Sequence, residues 1–163
     1  MRDGLTWNFD LATKTGGRDK QQDRIEVFRN HDETTSLAVL ADGLGGYAKG
    51  ELAAQILVDT ARSSFESHRD SDPQALLRQI CIDSHAKLKD YQRESGELCA
   101  TTCVLLLLSE DQACWAHVGD SRLYHFRNDD FLFRTKDHTL SDLEDSELDQ
   151  LGIDSRESLN KSR

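Results

Sequence analysis

Three aspartates in this sequence stand where packing has little use for a carboxylate. Asp42 follows the apolar run Leu37-Ala38-Val39-Leu40-Ala41 and precedes Gly43-Leu44-Gly45-Gly46. Carboxylate oxygens at the end of a buried strand suit a hard divalent cation, and a glycine lets the backbone approach closely enough for the Gly43 carbonyl to serve as a second oxygen ligand. Asp23 closes the segment Arg18-Asp19-Lys20-Gln21-Gln22-Asp23. If the strands bearing Asp23 and Asp42 pair, their acids converge on one metal cluster, and the Arg18 guanidinium can grip phosphoryl oxygens bidentately. Asp120 sits in Val118-Gly119-Asp120-Ser121-Arg122. Each segment also has an ordinary reading: a tight turn at Asp42, a surface ion pair at Arg18 and Asp23, and a β-turn at Gly119-Asp120-Ser121. The conjunction of all three is what favours the metal reading.

Gly43-Leu44-Gly45-Gly46-Tyr47-Ala48 also fits G-x-G-x-x-A, the dinucleotide fingerprint. Two observations argue against it. Asp42 would set a carboxylate beside a pyrophosphate, and the helix that follows leads to another helix, where a βαβ unit needs a parallel strand.

The elements that must position these residues read as strands, two helices, strands and a last helix. Alternation predicts strands over Leu5–Thr13 and Arg24–Arg29, and a short buried run predicts a third over Ser36–Ala41, the latter two joined by a loop at 31–35. A helix is expected between Tyr47 and Phe65 from the stripe Leu52, Ala53, Ile56, Leu57, Ala61. Asp72 then offers an N-cap with Pro73 at the first helical position, and the helical face runs to about Tyr91. Strands follow at Thr101–Leu108 and Ala113–Val118, then a hairpin of Arg122–Arg127 and Phe131–Thr135 around Asn128-Asp129-Asp130. A last helix is predicted over Ser141–Leu151, with Ser141 and Glu144 as a capping box and Gly152 as the stop. The order predicts an α+β layered fold.

The chain of 163 residues suits a single domain, 1–163, and 37% apolar residues are enough for a core. A net charge of −10 without a basic stripe disfavours nucleic acid as a partner. The longest apolar run, around Cys103–Leu108, is too short to span a membrane, and the first residues lack the apolar core of a signal peptide. Cys81, Cys99, Cys103 and Cys114 match no zinc spacing and read as buried, reduced thiols of a cytoplasmic protein.

Taken in order, the motifs resemble the metal-dependent serine/threonine protein phosphatases of type 2C (PPM), in their bacterial form. That family carries Arg-x-x-x-(Glu/Gln)-Asp, matched by Arg18, Gln22 and Asp23. Its strand ending in Asp-Gly with a Gly-Gly turn and a helical Gly-Glu is matched by Asp42, Gly43, Gly45, Gly46, Gly50 and Glu51. Thr101-Thr102, Gly119-Asp120-Ser121-Arg122 and Thr135-Lys136-Asp137-His138-Thr139 complete the match over nearly the whole chain. The resemblance implies two antiparallel sheets flanked by helix pairs, an α-β-β-α sandwich. It implies two Mg²⁺ or Mn²⁺ ions bridged by Asp42, with the Gly43 carbonyl on one of them and Asp23 bound directly or through another ligand. Asp120 would help hold a third, weaker ion, and Arg18 would bind the phosphate of a phosphoserine or phosphothreonine protein. The implied reaction is direct hydrolysis by a metal-activated water.

Two departures accompany the match. Some members place a histidine after Asp-Gly as the general acid, where this chain has Leu44, and Asp137-His138 reads better as a hydrogen-bonded turn. The family also continues through further strands with two more metal-binding acids, which Asp149, Asp154 and Glu157 do not match. The fold is therefore expected to be incomplete on its C-terminal side, with a site short of ligands. The alternative function is a catalytically inactive module that binds a partner or a phosphorylated segment. A calcium-binding domain is disfavoured, since no EF-hand loop is present.

Overall fold

The site-bearing hairpin is built from β1 (Asp23–Arg29) and β2 (Ser36–Asp42), seven residues each. In the computed structural model, which describes residues 7–17, 20–44, 49–68, 71–110 and 112–138, the two strands pair antiparallel from Asp23↔Asp42 to Arg29↔Ser36. The loop between them is held by its own polar residues. Asn30 Nδ2 donates to Thr34, the Thr35 amide donates to Asn30 Oδ1, and Thr34 donates to Asp32 Oδ1. The hydrogen bonds from the Thr34 hydroxyl and amide hold the Asp32 carboxyl below its ordinary range.

Alternation along β2 sorts its side chains into two faces. Leu37, Val39 and Ala41 are buried at 1% exposure or less, while Ala38, Leu40 and Asp42 are half-buried on the other side. The buried face meets α1 (Gly50–Ser67), which presents Ala54, Leu57, Val58, Ala61 and Phe65. Helix α2 (Pro73–Ser95) packs on α1 and on β3 (Cys103–Leu108) through Leu76, Leu77 and Ile80. Each such buried aliphatic contributes roughly 1.5–3 kcal/mol by leaving water. β3 lies antiparallel to β2, and β4 (Ala113–Val118) completes the order β1-β2-β3-β4. Asp72 caps α2 by accepting from the Ala75 amide at 2.8 Å with Pro73 in the first turn, and Gly96 ends it at φ 72°. The helix thus runs one turn past the expected stop near Tyr91.

The chain divides into two compact units, Met1–His117 and Val118–Arg163. The described part of the second holds a hairpin of β5 (Tyr124–Arg127) and β6 (Asp130–Arg134). Asn128 and Asp129, at φ 51° and 67°, make the two-residue turn that matches strand twist.

The expected α+β class with antiparallel sheets and two helices is what the structure shows. One expected element differs. Residues 7–13 form no strand, although Trp7 and Phe9 are half-buried and Asn8 and Asp10 exposed. Side chains account for that alternation. Trp7 Nε1 donates to the Ser109 carbonyl at 3.3 Å, and the Arg29 guanidinium lies 5.5 Å from the centre of the Phe9 ring. The segment is anchored by those contacts, with no backbone ladder. Leu5, the Gly45-Gly46 turn and the helix at Ser141–Leu151 fall outside the described residues.

Candidate metal and phosphate site

Asp23 and Asp42 are direct cross-strand partners, so both carboxylates project from one face of the hairpin at its open end. That is the face turned away from α1, since Arg24, the next residue along β1, reaches back to the helix. Its Nη2 lies 2.6 Å from Glu51 Oε1 and its Nε donates to Gln55 Oε1 at 3.2 Å. The pair with Glu51 is partly exposed and worth about 0.2–1 kcal/mol at most. Its effect is positional: it ties β1 to the first turn of α1 beside Asp23. Like charges directly opposed across a sheet are unfavourable by a comparable amount. Two aspartates in register therefore weaken the hairpin while making a donor set for a cation.

The backbone around Asp42 is fixed by a segment sixty residues further on. Thr102 Oγ1 accepts from the Asp42 amide at 3.0 Å, and the Thr102 amide donates to the Asp42 carbonyl at 2.9 Å. The Gly43 amide donates to the Gln22 carbonyl at 3.3 Å and the Leu44 amide to the Ala100 carbonyl at 3.0 Å. Three stretches of chain thus converge on Asp42-Gly43. Gly43 is there because nothing larger fits: a Cβ would fall on the Gly50 carbonyl oxygen and 2.7 Å from the Gln22 carbonyl oxygen. A Cβ at Gly50 would lie 2.9 Å from the Gly43 carbonyl carbon. The backbones of β2 and the start of α1 approach to a distance that only a glycine pair permits.

The residues present fit a divalent cation in chemistry. Two opposed carboxylates and a neighbouring backbone carbonyl are hard oxygen donors. Among the described residues no group of three or more His, Cys, Asp or Glu side chains comes together as a metal cluster, so the aspartate pair is the part of a donor set seen here. Arg18, the expected phosphate ligand, lies outside the described residues. Asp120 is exposed and belongs to the second unit. Its loop is closed from within that unit: the His138 amide donates to the Gly119 carbonyl at 2.9 Å, and Arg122 makes a fork to both Asp137 oxygens at 2.8 and 2.6 Å. Asp137 and His138 thus make the hydrogen bonds their sequence suggests, but by reaching back to Arg122 and Gly119 and not by closing a turn of their own. The same fork, with a contact to the Tyr124 hydroxyl, raises the Arg122 pKa, and Arg122 draws the Tyr124 phenol below its usual value.

Residues 16–140 match the family described as Protein phosphatase 2C. The chain belongs to the protein phosphatase 2C family. A curated relative, the serine/threonine phosphatase stp of Listeria innocua, is 28% identical over 129 residues, 76% of this chain and 51% of the relative. The crystal structure of the serine/threonine phosphatase Stp1 from Staphylococcus aureus superposes with a TM-score of 0.72 at 30% identity, covering 94% of this chain and 62% of that one. The catalytic domain of the serine/threonine protein phosphatase PstP, in complex with 2 manganese ions, shares the fold at a TM-score of 0.64 and 24% identity, over 87% of this chain and 58% of that one. This chain spans about half the length of the curated relatives it matches.

Residue reading alone passed over the supports of the site. Thr102 and Gly50 were legible only as members of matched motifs. A signal for Gly50 exists in the sequence: a glycine at the first position inside a helix, after Lys49 at the cap, gives up helix propensity and so points to close backbone approach. No comparable signal marks Arg24.

Proposed function

We propose that this protein takes part in the metal-dependent hydrolysis of phosphoserine and phosphothreonine in proteins, and that residues 1–163 belong to one phosphatase domain. The observation that carries the reading is the Asp23–Asp42 register pair, locked by Thr102 and by the Gly43–Gly50 approach. Asp42, Asp23 and the Gly43 carbonyl would hold two Mg²⁺ or Mn²⁺ ions, and Asp120 would help hold a third, weaker one. When bound, such ions supply Lewis acidity toward water and toward phosphoryl oxygen. Arg18 would hold the phosphate by a two-pronged hydrogen bond and offset charge gathering on its oxygens in an in-line displacement. Thr102 and Gly50 keep the Asp42 backbone from shifting, so that its carboxylate is placed before substrate arrives. Leu44, 39% exposed beside Gly43, carries no proton for the leaving oxygen.

Four free cysteines fit a reducing, cytoplasmic setting. Among the described residues no helix is long and apolar enough to cross a membrane. A second reading, a module that binds a phosphorylated segment without turning it over, is favoured by the small donor set the described residues assemble.

The test is hydrolysis of p-nitrophenyl phosphate and of a phosphothreonine peptide by folded 1–163, with Mn²⁺ and with EDTA, beside Asp42→Ala. Metal-dependent turnover that disappears in Asp42→Ala supports the enzyme. Equal rates for the two proteins remove that reading for this chain and leave the binding module.

A further inference from the structure

Cys81 on α2 and Cys103 on β3 lie with their sulfurs 4.0 Å apart, in hydrogen-bond contact across the helix–sheet interface. Their surroundings differ. Cys103 is 6% exposed and belongs to the core. Cys81 is half-buried and lines a cleft of about 530 Å³ together with Gln74, Leu77, Arg78, Cys114 and Trp115. The contact from Cys103 draws the Cys81 thiol below its ordinary pKa, whereas the same contact and burial push Cys103 up. Cys81 is thus the sulfur within reach of a solute in the cleft, and Cys103 is the one held in the core behind it.

We propose that Cys81 and Cys103 form a thiol–disulfide couple, in which a small hydroperoxide entering the cleft oxidises Cys81 and Cys103 resolves it. In the first step the Cys81 sulfur attacks one peroxide oxygen and the O–O bond breaks. With hydrogen peroxide the thiol becomes a sulfenic acid and one water leaves. In the second step the Cys103 sulfur attacks the sulfenic sulfur, the S–O bond breaks, and the Cys103 proton leaves with the hydroxyl as a second water. Two electrons pass from the thiol pair to the peroxide. Bond formation draws the sulfurs together by about 2 Å. That movement is taken up next to Thr102, the residue whose amide and hydroxyl hold the backbone of Asp42. Oxidation at the α2–β3 interface thereby reaches the carboxylate end of the sheet. The thiol chemistry stands apart from the phosphatase reading and is tested without it.

The experiment treats the full chain with hydrogen peroxide, blocks remaining thiols with N-ethylmaleimide, and maps peptides by mass spectrometry. Wild type and a Cys99→Ser/Cys114→Ser double variant are expected to give a Cys81–Cys103 linked peptide that dithiothreitol reverses. Cys103→Ala is expected to leave a dimedone-reactive sulfenic acid on Cys81. In wild type, both thiols remaining alkylated after peroxide would overturn the couple, as would sulfinic acid on Cys81 without a link, or a link to Cys114. Amide NMR resonances of Asp42 and Thr102 are expected to shift on oxidation, and unmoved resonances overturn the connection to the carboxylate end.

Discussion

Asp42-Gly43 closes β2 and Gly119-Asp120 follows β4, so the same two residue types stand at strand ends in both units. Their glycines serve different needs. At Gly43 a side chain is excluded by the backbones of Gly50 and Gln22. At Gly119 the requirement is conformational, since φ is 97°, where L residues are strained. The surroundings differ in the same sense. The Asp42 backbone is held by Thr102 from a distant part of the chain, and Asp120 rides on a loop closed by Arg122–Asp137 fifteen residues away. One acid is fixed by the core and the other by a local turn. Substitutions should therefore act on stability at the first glycine by clash, and at the second by a smaller torsional strain.

The largest expected effect is at Gly43. Gly43→Ala must push β2 away from α1, and should cost about 3 kcal/mol or more, beyond the usual range for overpacking. Urea denaturation followed by circular dichroism measures it, and a loss smaller than that of Gly119→Ala would break the comparison. Next, Asp42→Ala should lower Mn²⁺ affinity by at least ~100-fold, since loss even of an outer partner of a ligand costs 10–100-fold. Titration calorimetry reads this directly, and unchanged affinity would remove Asp42 from the metal site. Gly119→Ala should cost about 1–2 kcal/mol from backbone strain, and Gly119→Asn less, because asparagine tolerates positive φ better. The smallest effect has the opposite sign. Asp23→Asn relieves the opposed charges and should stabilise the metal-free protein by a few tenths to about 1 kcal/mol, while weakening metal binding. A destabilised Asp23→Asn would show that the two carboxylates do not repel across the strands.

How far the sequence could be read follows the same division. Asp42 was legible because a strand of buried aliphatics ends at it, and Asp23 because a strand begins there. Once both lie on one hairpin, the loop length fixes their register. The cap at Asp72 and a hairpin turn at Asn128-Asp129 were legible for similar local reasons, although Asp130, expected in that turn, pairs with Arg127 as the first residue of β6. Thr102 was not, because its contact to Asp42 depends on how β3 is brought beside β2, which no local pattern encodes. Trp7 and Phe9 misled for a related reason: alternation records which side chains are covered, and here another part of the chain covers them without backbone pairing. Gly50 was hidden by its own helix, whose apolar stripe begins only at Leu52.

The β1–β2 register has a consequence for the order in which the molecule is made. Asp23 and Asp42 are brought opposite each other by a hairpin whose loop is only 30–35. Closing such a hairpin takes on the order of microseconds, whereas pairing β2 with β3 must first close a chain segment that contains both helices. The carboxylates should thus meet early, before Thr102 arrives to hold them, and their repulsion then opposes the nucleus itself. Asp23→Asn is accordingly expected to speed refolding more than it slows unfolding, which stopped-flow kinetics in urea would show as a rise confined to the refolding limb.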